Sequence, residues 1–182
     1  HAGIAARAAG IDWEGVHLFW GDERCVPPDD RESNFGMARE TLLDRIPIPA
    51  ENVHRWLAEI PPEDAADRYG RELAAVAGSP PVLDFVFLGL GTDGHTASLF
   101  PGSAALAIAG RACAANFVAE LGAWRLTLTF SALDAARTVL FLVEGEGKRD
   151  IVRRIAAGED LPAGRVKAGE TLWFLDRAAA GT

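Results

Sequence analysis

The stretch Leu83–Gly102, LDFVFLGLGTDGHTASLFPG, decides the fold, because a run patterned as a buried strand empties into a glycine-rich loop carrying Asp93 and His95. Leu83, Phe85, Val86, Phe87 and Leu88 are almost continuously apolar, the pattern of a parallel strand covered on both faces. Gly89, Gly91 and Gly94 then allow a tight turn or a close approach to a ligand. In open α/β sheets, ligands sit past the carboxyl ends of such strands. A histidine placed there, with an ordinary pKa of about 6.5, is largely neutral near pH 7 and able to take a proton from water. Asp93, two residues earlier, is placed to orient it. The ordinary alternative is a glycine-rich turn with an incidental histidine, and the loop alone favours that alternative.

Working outward, Val16–Trp20 reads as a second short buried strand that runs into Gly21, Asp22, Glu23, Arg24, Cys25, Val26, Pro27 and Pro28. Helical spacing covers Asn34–Asp44, with Ser33 as its cap and Pro47 and Pro49 as its stop. Pro61 and Pro62 open a helix, PPEDAADRYGRELAAV, whose early acidic residues suit its dipole and which ends near Gly78. Arg125–Phe130 alternates as a strand, Ser131 is placed to cap a helical turn, and Thr138–Val143 reads as a buried strand. Lys148–Ala157 predicts a helix with Ile151, Val152 and Ile155 inward, and Thr171–Leu175 the last strand. Residues 104–118 carry no decisive pattern. The alternation predicts an α/β Rossmann-like sandwich: a mostly parallel sheet with helices on both faces, as a single domain over 1–182.

Composition narrows the function. A chain of 182 residues, 49% hydrophobic, has enough apolar material for one sizeable core. The formal net charge of -8, with 18 basic against 26 acidic residues, argues against nucleic acid. It leaves room for a small anion gathered by isolated arginines and lysines at strand ends. No apolar run approaches the roughly 18 residues needed to cross a bilayer, and no charged-then-apolar leader opens the sequence, so neither membrane nor secretion is expected. Cys25 and Cys113 form no CxxC pair, which suits reduced thiols and a cytoplasmic location. The histidines and carboxylates lack metal-ligand spacing, and GLGTDG lacks the dinucleotide fingerprint, so no metal and no cofactor is expected.

Two segments, WGDERCVPPDDRESNFGMARETLLDRIPIPAENVHRW from Trp20 and LGLGTDGHTASLFPG from Leu88, resemble the 6-phosphogluconolactonases. The resemblance extends through RLTLTFSALDAARTVLFLVEGEGK and TLWFLDRAAA, and so over essentially the whole chain. It implies hydrolysis of 6-phospho-D-glucono-1,5-lactone in the oxidative pentose phosphate pathway. The implied roles are His95 as general base with Asp93 beside it, and Arg24, Arg125 and Lys148 around the substrate phosphate. The loop at Gly91 and Gly94 is expected to offer amides to the oxyanion. Family members begin with a strand, a phosphate loop and a helix, whereas this sequence opens at His1 with AGIAARAA, which reads as a helix tail. The chain is therefore expected to be N-terminally truncated, with an unpaired strand edge and an uncovered apolar face.

Alternatives stand beside these roles. Arg24 has possible ion-pair partners in Asp22 and Glu23, and Lys148 in Glu144 and Glu146. Arg125 opens its strand, which sets it at the wrong end of the sheet unless that strand is antiparallel. His17 reads as a packed core histidine. His54 suits either a cleft wall or a hydrogen bond within a loop, and the tryptophans suit core or cleft wall. Cys25 reads as filler, and Ser98 lies outside any GxSxG elbow. Glucosamine-6-phosphate isomerase/deaminase is the rival of the same fold, although GHTASLFPG and WGDERCVP are nearer the lactonase form. A noncatalytic sugar-phosphate sensor is the rival of another class.

Overall fold

The computed structural model describes residues 8–182, so most of the helix tail expected at the start lies outside the described residues. A two-stranded parallel sheet pairs β1 (Leu18–Phe19) with β3 (Val53–His54). A parallel sheet of β4 (Phe85–Leu88), β7 (Thr138–Val143) and β8 (Glu170–Leu175) sets Phe87 opposite Leu140 and Phe141 opposite Trp173. A third sheet is antiparallel, in the order β2 (Asp22–Arg24), β6 (Ala123–Leu128), β5 (Cys113–Val118). The helices are α1 (Asn34–Thr41), α2 (Pro62–Ala77), α3 (Phe130–Ala135), α4 (Arg149–Ala156), α5 (Pro162–Arg165) and α6 (Arg177–Ala180).

A main core joins most of these elements, and a smaller one gathers Trp13, Leu42 and Ile46. Val86, Leu88, Val139, Phe141 and Val143 of the parallel sheet meet Ile151, Leu161, Ala163 and Ala179. Ala65, Ala66, Tyr69 and Leu73 of α2 enter the same core with Leu126 and Leu128 of β6. Tyr69 stacks on Trp56 at 3.7 Å, and its hydroxyl accepts from the Trp20 amide at 2.7 Å. Trp56 donates its indole N–H to the Trp20 carbonyl at 2.9 Å. Trp20 is thereby fixed at the point where the chain leaves β1 and turns into β2. Burial raises the pKa of Tyr69, which keeps it a neutral phenol and a usable donor and acceptor.

The expected strand Val16–Trp20 is shorter than its apolar run, because Gly21 lets the chain change sheets and Asp22–Arg24 forms a strand of its own. β4 is not covered on both faces: Val86 and Leu88 are buried, whereas Phe85 and Phe87 are exposed. Leu142 and Phe174 extend the same exposed face across the sheet. The unassigned stretch contains β5, and the helix after β6 has Thr129, not Ser131, at its N-cap position, without a side-chain capping bond. The Ser131 hydroxyl instead accepts from the Gly110 amide. His17 is exposed, not packed in the core, and its Nδ1 lies 2.9 Å from His54 Nε2. His54 is buried against Phe19 and bonds Glu72 at 2.7 Å, which favours the hydrogen-bonded role over the cleft wall. Trp13 and Trp56 are buried, but Trp124 is exposed at the hairpin that joins β5 to β6. No helix among the described residues is long and apolar enough to cross a membrane.

β2 packs three functions into consecutive residues because strand side chains alternate. Asp22 and Arg24 share one face, and Glu23 points to the other, where it is buried. There the Glu23 carboxylate accepts from the amides of Asn34 at 2.7 Å and Phe35 at 2.8 Å and from the Ser33 hydroxyl at 3.1 Å. Ser33 in turn caps α1 by accepting from the Gly36 amide at 3.0 Å. The first-turn amides of α1, which a helix cannot satisfy internally, are thus met by one strand carboxylate and one hydroxyl. Gly36 has no alternative, since a Cβ there would lie 2.8 Å from the Pro28 carbonyl oxygen.

Removing this carboxylate leaves several buried donors without a partner. Glu23→Ala is expected to cost about 3 kcal/mol of stability, seen as a lower urea midpoint at unchanged slope. A loss of less than about 1 kcal/mol would show that the α1 amides are satisfied without Glu23.

Candidate active site

The loop after β4 closes on itself before it presents anything to solvent. The Gly91 amide donates to the His95 carbonyl at 2.8 Å, the Gly94 amide to the Gly91 carbonyl at 3.1 Å, and Thr96 Oγ1 to the Gly89 carbonyl at 2.9 Å. This corrects the sequence expectation for Gly91 and Gly94, whose amides are engaged within the loop and are not free for an oxyanion. Their glycine character has a steric cause. A Cβ on Gly91 would collide with Nδ1 and Cε1 of His95 and come within 2.6 Å of Asp93 Oδ1. Gly94 has φ of +89°, and a Cβ there would lie 3.1 Å from the Leu161 side chain.

Inside that turn, His95 Nδ1 lies 2.6 Å from Asp93 Oδ1, which also accepts the His95 amide at 3.1 Å. An ionised Asp93 accepts the Nδ1 proton and so leaves Nε2 with its lone pair. Phe100 stacks on the imidazole at 4.2 Å and holds its plane. Partial burial works to raise the Asp93 pKa, but the amide, charge and ring N–H of His95 together lower it.

A cleft of about 450 Å³ opens beside this pair, lined by His95, Gly91, Thr92, Thr96 and Ala97 together with Asp22, Arg24, Asn34 and Lys148. Lys148 precedes α4, is half-buried and forms no ion pair among the described residues. Arg149, not Lys148, pairs with Glu146, at 3.7 Å. The Arg24 guanidinium donates to the Glu32 carbonyl and forms no ion pair with Asp22 or Glu23, although the Arg24 backbone amide donates to Glu23 Oε1 at 2.8 Å. Arg125 does not line the cleft, and its guanidinium donates to the Trp124 carbonyl at 3.0 Å. Its strand is nevertheless antiparallel to β2 and sets it directly opposite Arg24, which removes the objection that it stands at the wrong end of a sheet.

Sequence reasoning passed over Asp22 except as a partner for Arg24, and it passed over Ser98 once no serine elbow was found. The structure joins them: Ser98 Oγ donates to Asp22 Oδ2 at 2.6 Å, and Asn34 Nδ2 approaches Oδ1 at 3.3 Å. Burial raises the Asp22 pKa against the lowering effects of the Ser98 hydrogen bond and the Arg24 charge. The available signal was the two-residue period of β2, which puts Asp22 on the same face as Arg24. Burial also raises the pKa of the Cys25 thiol despite nearby Arg125, and pushes that of Cys113 up to about 12, so neither is an activated nucleophile. Among the described residues no group of three or more His, Cys, Asp or Glu side chains stands close enough to hold a metal ion.

Comparison with known proteins places this geometry. The family described as glucosamine-6-phosphate isomerases/6-phosphogluconolactonase matches residues 2–173. A 6-phosphogluconolactonase of Haemophilus influenzae is 42% identical over 175 residues, which cover 93% of this chain and 75% of that protein. The crystal structure of a 6-phosphogluconolactonase from Thermotoga maritima superposes with a TM-score of 0.85 at 32% identity, over 96% of this chain and 79% of that one. A monomeric glucosamine-6-phosphate deaminase superposes with a TM-score of 0.82 over 99% of this chain and 80% of that one, but at 17% identity, a likeness of fold alone.

Two outcomes test the geometry of the pair. Gly91→Ala is expected to force the imidazole off Asp93, so that the downfield Nδ1–H resonance of His95 is lost in NMR spectra while circular dichroism stays that of a folded chain. A retained resonance would show that the loop relaxes around the methyl group. Because the Asp93 pKa is lowered on folding, its contribution is complete above the unfolded value of about 3.9 and disappears as pH falls through the lower folded value. A carboxyl carbon titration of Asp93 with a midpoint at or above about 3.9 would contradict this.

Proposed function

The chain belongs to the glucosamine-6-phosphate isomerase/6-phosphogluconolactonase family, and from that premise we propose that it hydrolyses 6-phospho-D-glucono-1,5-lactone to 6-phospho-D-gluconate. This is the lactone-opening step of the oxidative pentose phosphate pathway, and a cytoplasmic setting goes with it. The single observation that carries the mechanism is a histidine backed by a carboxylate, lining the same cleft as Arg24 and Lys148.

A lactone carbonyl is already electrophilic, so the protein must activate a water and hold the substrate. In the reading proposed here, His95 Nε2 takes a proton from water as the oxygen attacks C1, and Asp93 stabilises the imidazolium that forms. The tetrahedral intermediate collapses with cleavage of the bond from C1 to the ring oxygen, which takes up a proton as it leaves. The resulting acid ionises, and one proton is released to solvent.

Arg24 and Lys148 meet the substrate phosphate in this reading, with Arg125 joining them. Directly opposed like charges on neighbouring strands are unfavourable unless an anion lies between them, which gives the Arg24 and Arg125 pair a reason to exist. A guanidinium also suits phosphate geometry better than an ammonium does. Arg125 reaches the anion only after releasing the Trp124 carbonyl.

The test is hydrolysis of freshly made 6-phosphogluconolactone, with spontaneous opening subtracted. His95→Ala is expected to lower kcat about 10²- to 10⁴-fold with little change in KM. Arg24→Ala and Lys148→Ala are expected to raise KM at least about 10-fold, an effect absent with an unphosphorylated lactone. A His95→Ala protein as active as the parent would remove the general base from this account. Equal losses on both lactones would remove the phosphate role of the cations.

A further inference from the structure

We propose that Asp22 is a specificity-determining residue, whose carboxylate, held in the cleft wall by Ser98 and Asn34, accepts a hydrogen bond from a ring hydroxyl of the sugar lactone. The proposal rests on the lactonase reading and adds to it the recognition of the ring.

A sugar lactone enters the cleft with hydroxyl donors that lose water as they bind, and each needs an acceptor inside. Asp22 is the one carboxylate among the residues lining the cleft. His95 is committed to water and Asp93, while Arg24 and Lys148 can only donate. A carboxylate has about four lone-pair sites. Ser98 occupies one at 2.6 Å and Asn34 makes a long contact of 3.3 Å to another, so acceptor capacity remains.

Asp22 is also held more firmly than a surface carboxylate. Ser98 is buried and bonded through every polar atom: its amide donates to Thr127 Oγ1 at 3.2 Å, its carbonyl accepts from Asn116 Nδ2 at 2.9 Å, and its hydroxyl donates to Asp22. Ala97 before it has φ of +46° and is the one non-glycine among the described residues with positive φ. Strain of this kind persists where the surroundings over-determine the backbone, and here it aims Ser98 at Asp22. Asp22 and Arg24 stand two residues apart on one face of β2, about 6.8 Å along the strand. A substrate gripped at its phosphate by Arg24 lays its ring beside Asp22.

The experiment compares the parent protein, Asp22→Asn and Ser98→Ala on 6-phosphogluconolactone and its 2-, 3- and 4-deoxy counterparts, each made by oxidising the matching sugar phosphate. The parent is expected to lose about 10- to 100-fold in kcat/KM on one deoxy lactone. Asp22→Asn is expected to fall by a similar factor on the full substrate and to discriminate that deoxy lactone less than about 3-fold. Ser98→Ala, which keeps the carboxylate but frees it, is expected to lie between them. Discrimination unchanged in Asp22→Asn, or an equal fall on all four lactones, would overturn the proposal and leave the lactonase reading standing. If the parent protein turns over none of them, the lactonase reading fails by itself. Calorimetric binding of 6-phosphogluconate and its deoxy acids then decides the role of Asp22: a preference for the full acid that Asp22→Asn abolishes supports it, and one that survives overturns it.

Discussion

The buried carboxylate of Glu23 is the contact on which the rest of the cleft depends. It sits on a three-residue strand and takes the first amides of α1, so the strand and the helix are fixed to each other through one side chain. The loop between them, with its two prolines, can then be short of internal structure and still return Asn34 to Asp22. A carboxylate this deep is tolerated because the amides of Arg24, Asn34 and Phe35 and the Ser33 hydroxyl donate to it and the helix dipole favours it. On the opposite face of the same strand, Asp22 and Arg24 inherit that rigidity.

The other wall is rigid for a different reason. The glycine loop after β4 uses its own amides to close a turn, and the missing Cβ of Gly91 is the space in which the imidazole and carboxylate meet. The two walls are tied together by Ser98, which follows the glycine loop and bonds Asp22, Thr127 and Asn116, all on the antiparallel sheet. The cleft lies where a parallel sheet, whose strand ends lead into the His95 loop and to Lys148, abuts an antiparallel sheet, which carries Asp22 and Arg24.

Fold and site were legible in the sequence to different depths. Uninterrupted apolar runs such as Thr138–Val143 and strong cap signals such as Ser33 and the Pro61 and Pro62 pair depend on local chemistry, and those elements stand where they are expected. The apolar run at Leu83–Leu88 announced a strand but not its environment, because periodicity reports a side chain's polarity and not what covers it. Phe85 and Phe87 are exposed for that reason. His17 misled in the same way: it precedes β1 and is exposed, although its ring meets the buried His54.

By itself the sequence determined the chemistry available: a histidine two residues from an aspartate on a glycine loop, and a run of charges after a tryptophan. Such short-range relations are set by covalent spacing, so reading them needs no fold. Tertiary structure alone decided which charges face each other. It turned β6 antiparallel and so set Arg125 against Arg24, and it brought Ser98 across 76 residues of chain to Asp22. It also directed the glycine amides inward, where a sequence reading leaves them free. Contacts between residues remote in sequence depend on sheet order and register, which are properties of the packed molecule and not of any segment within it.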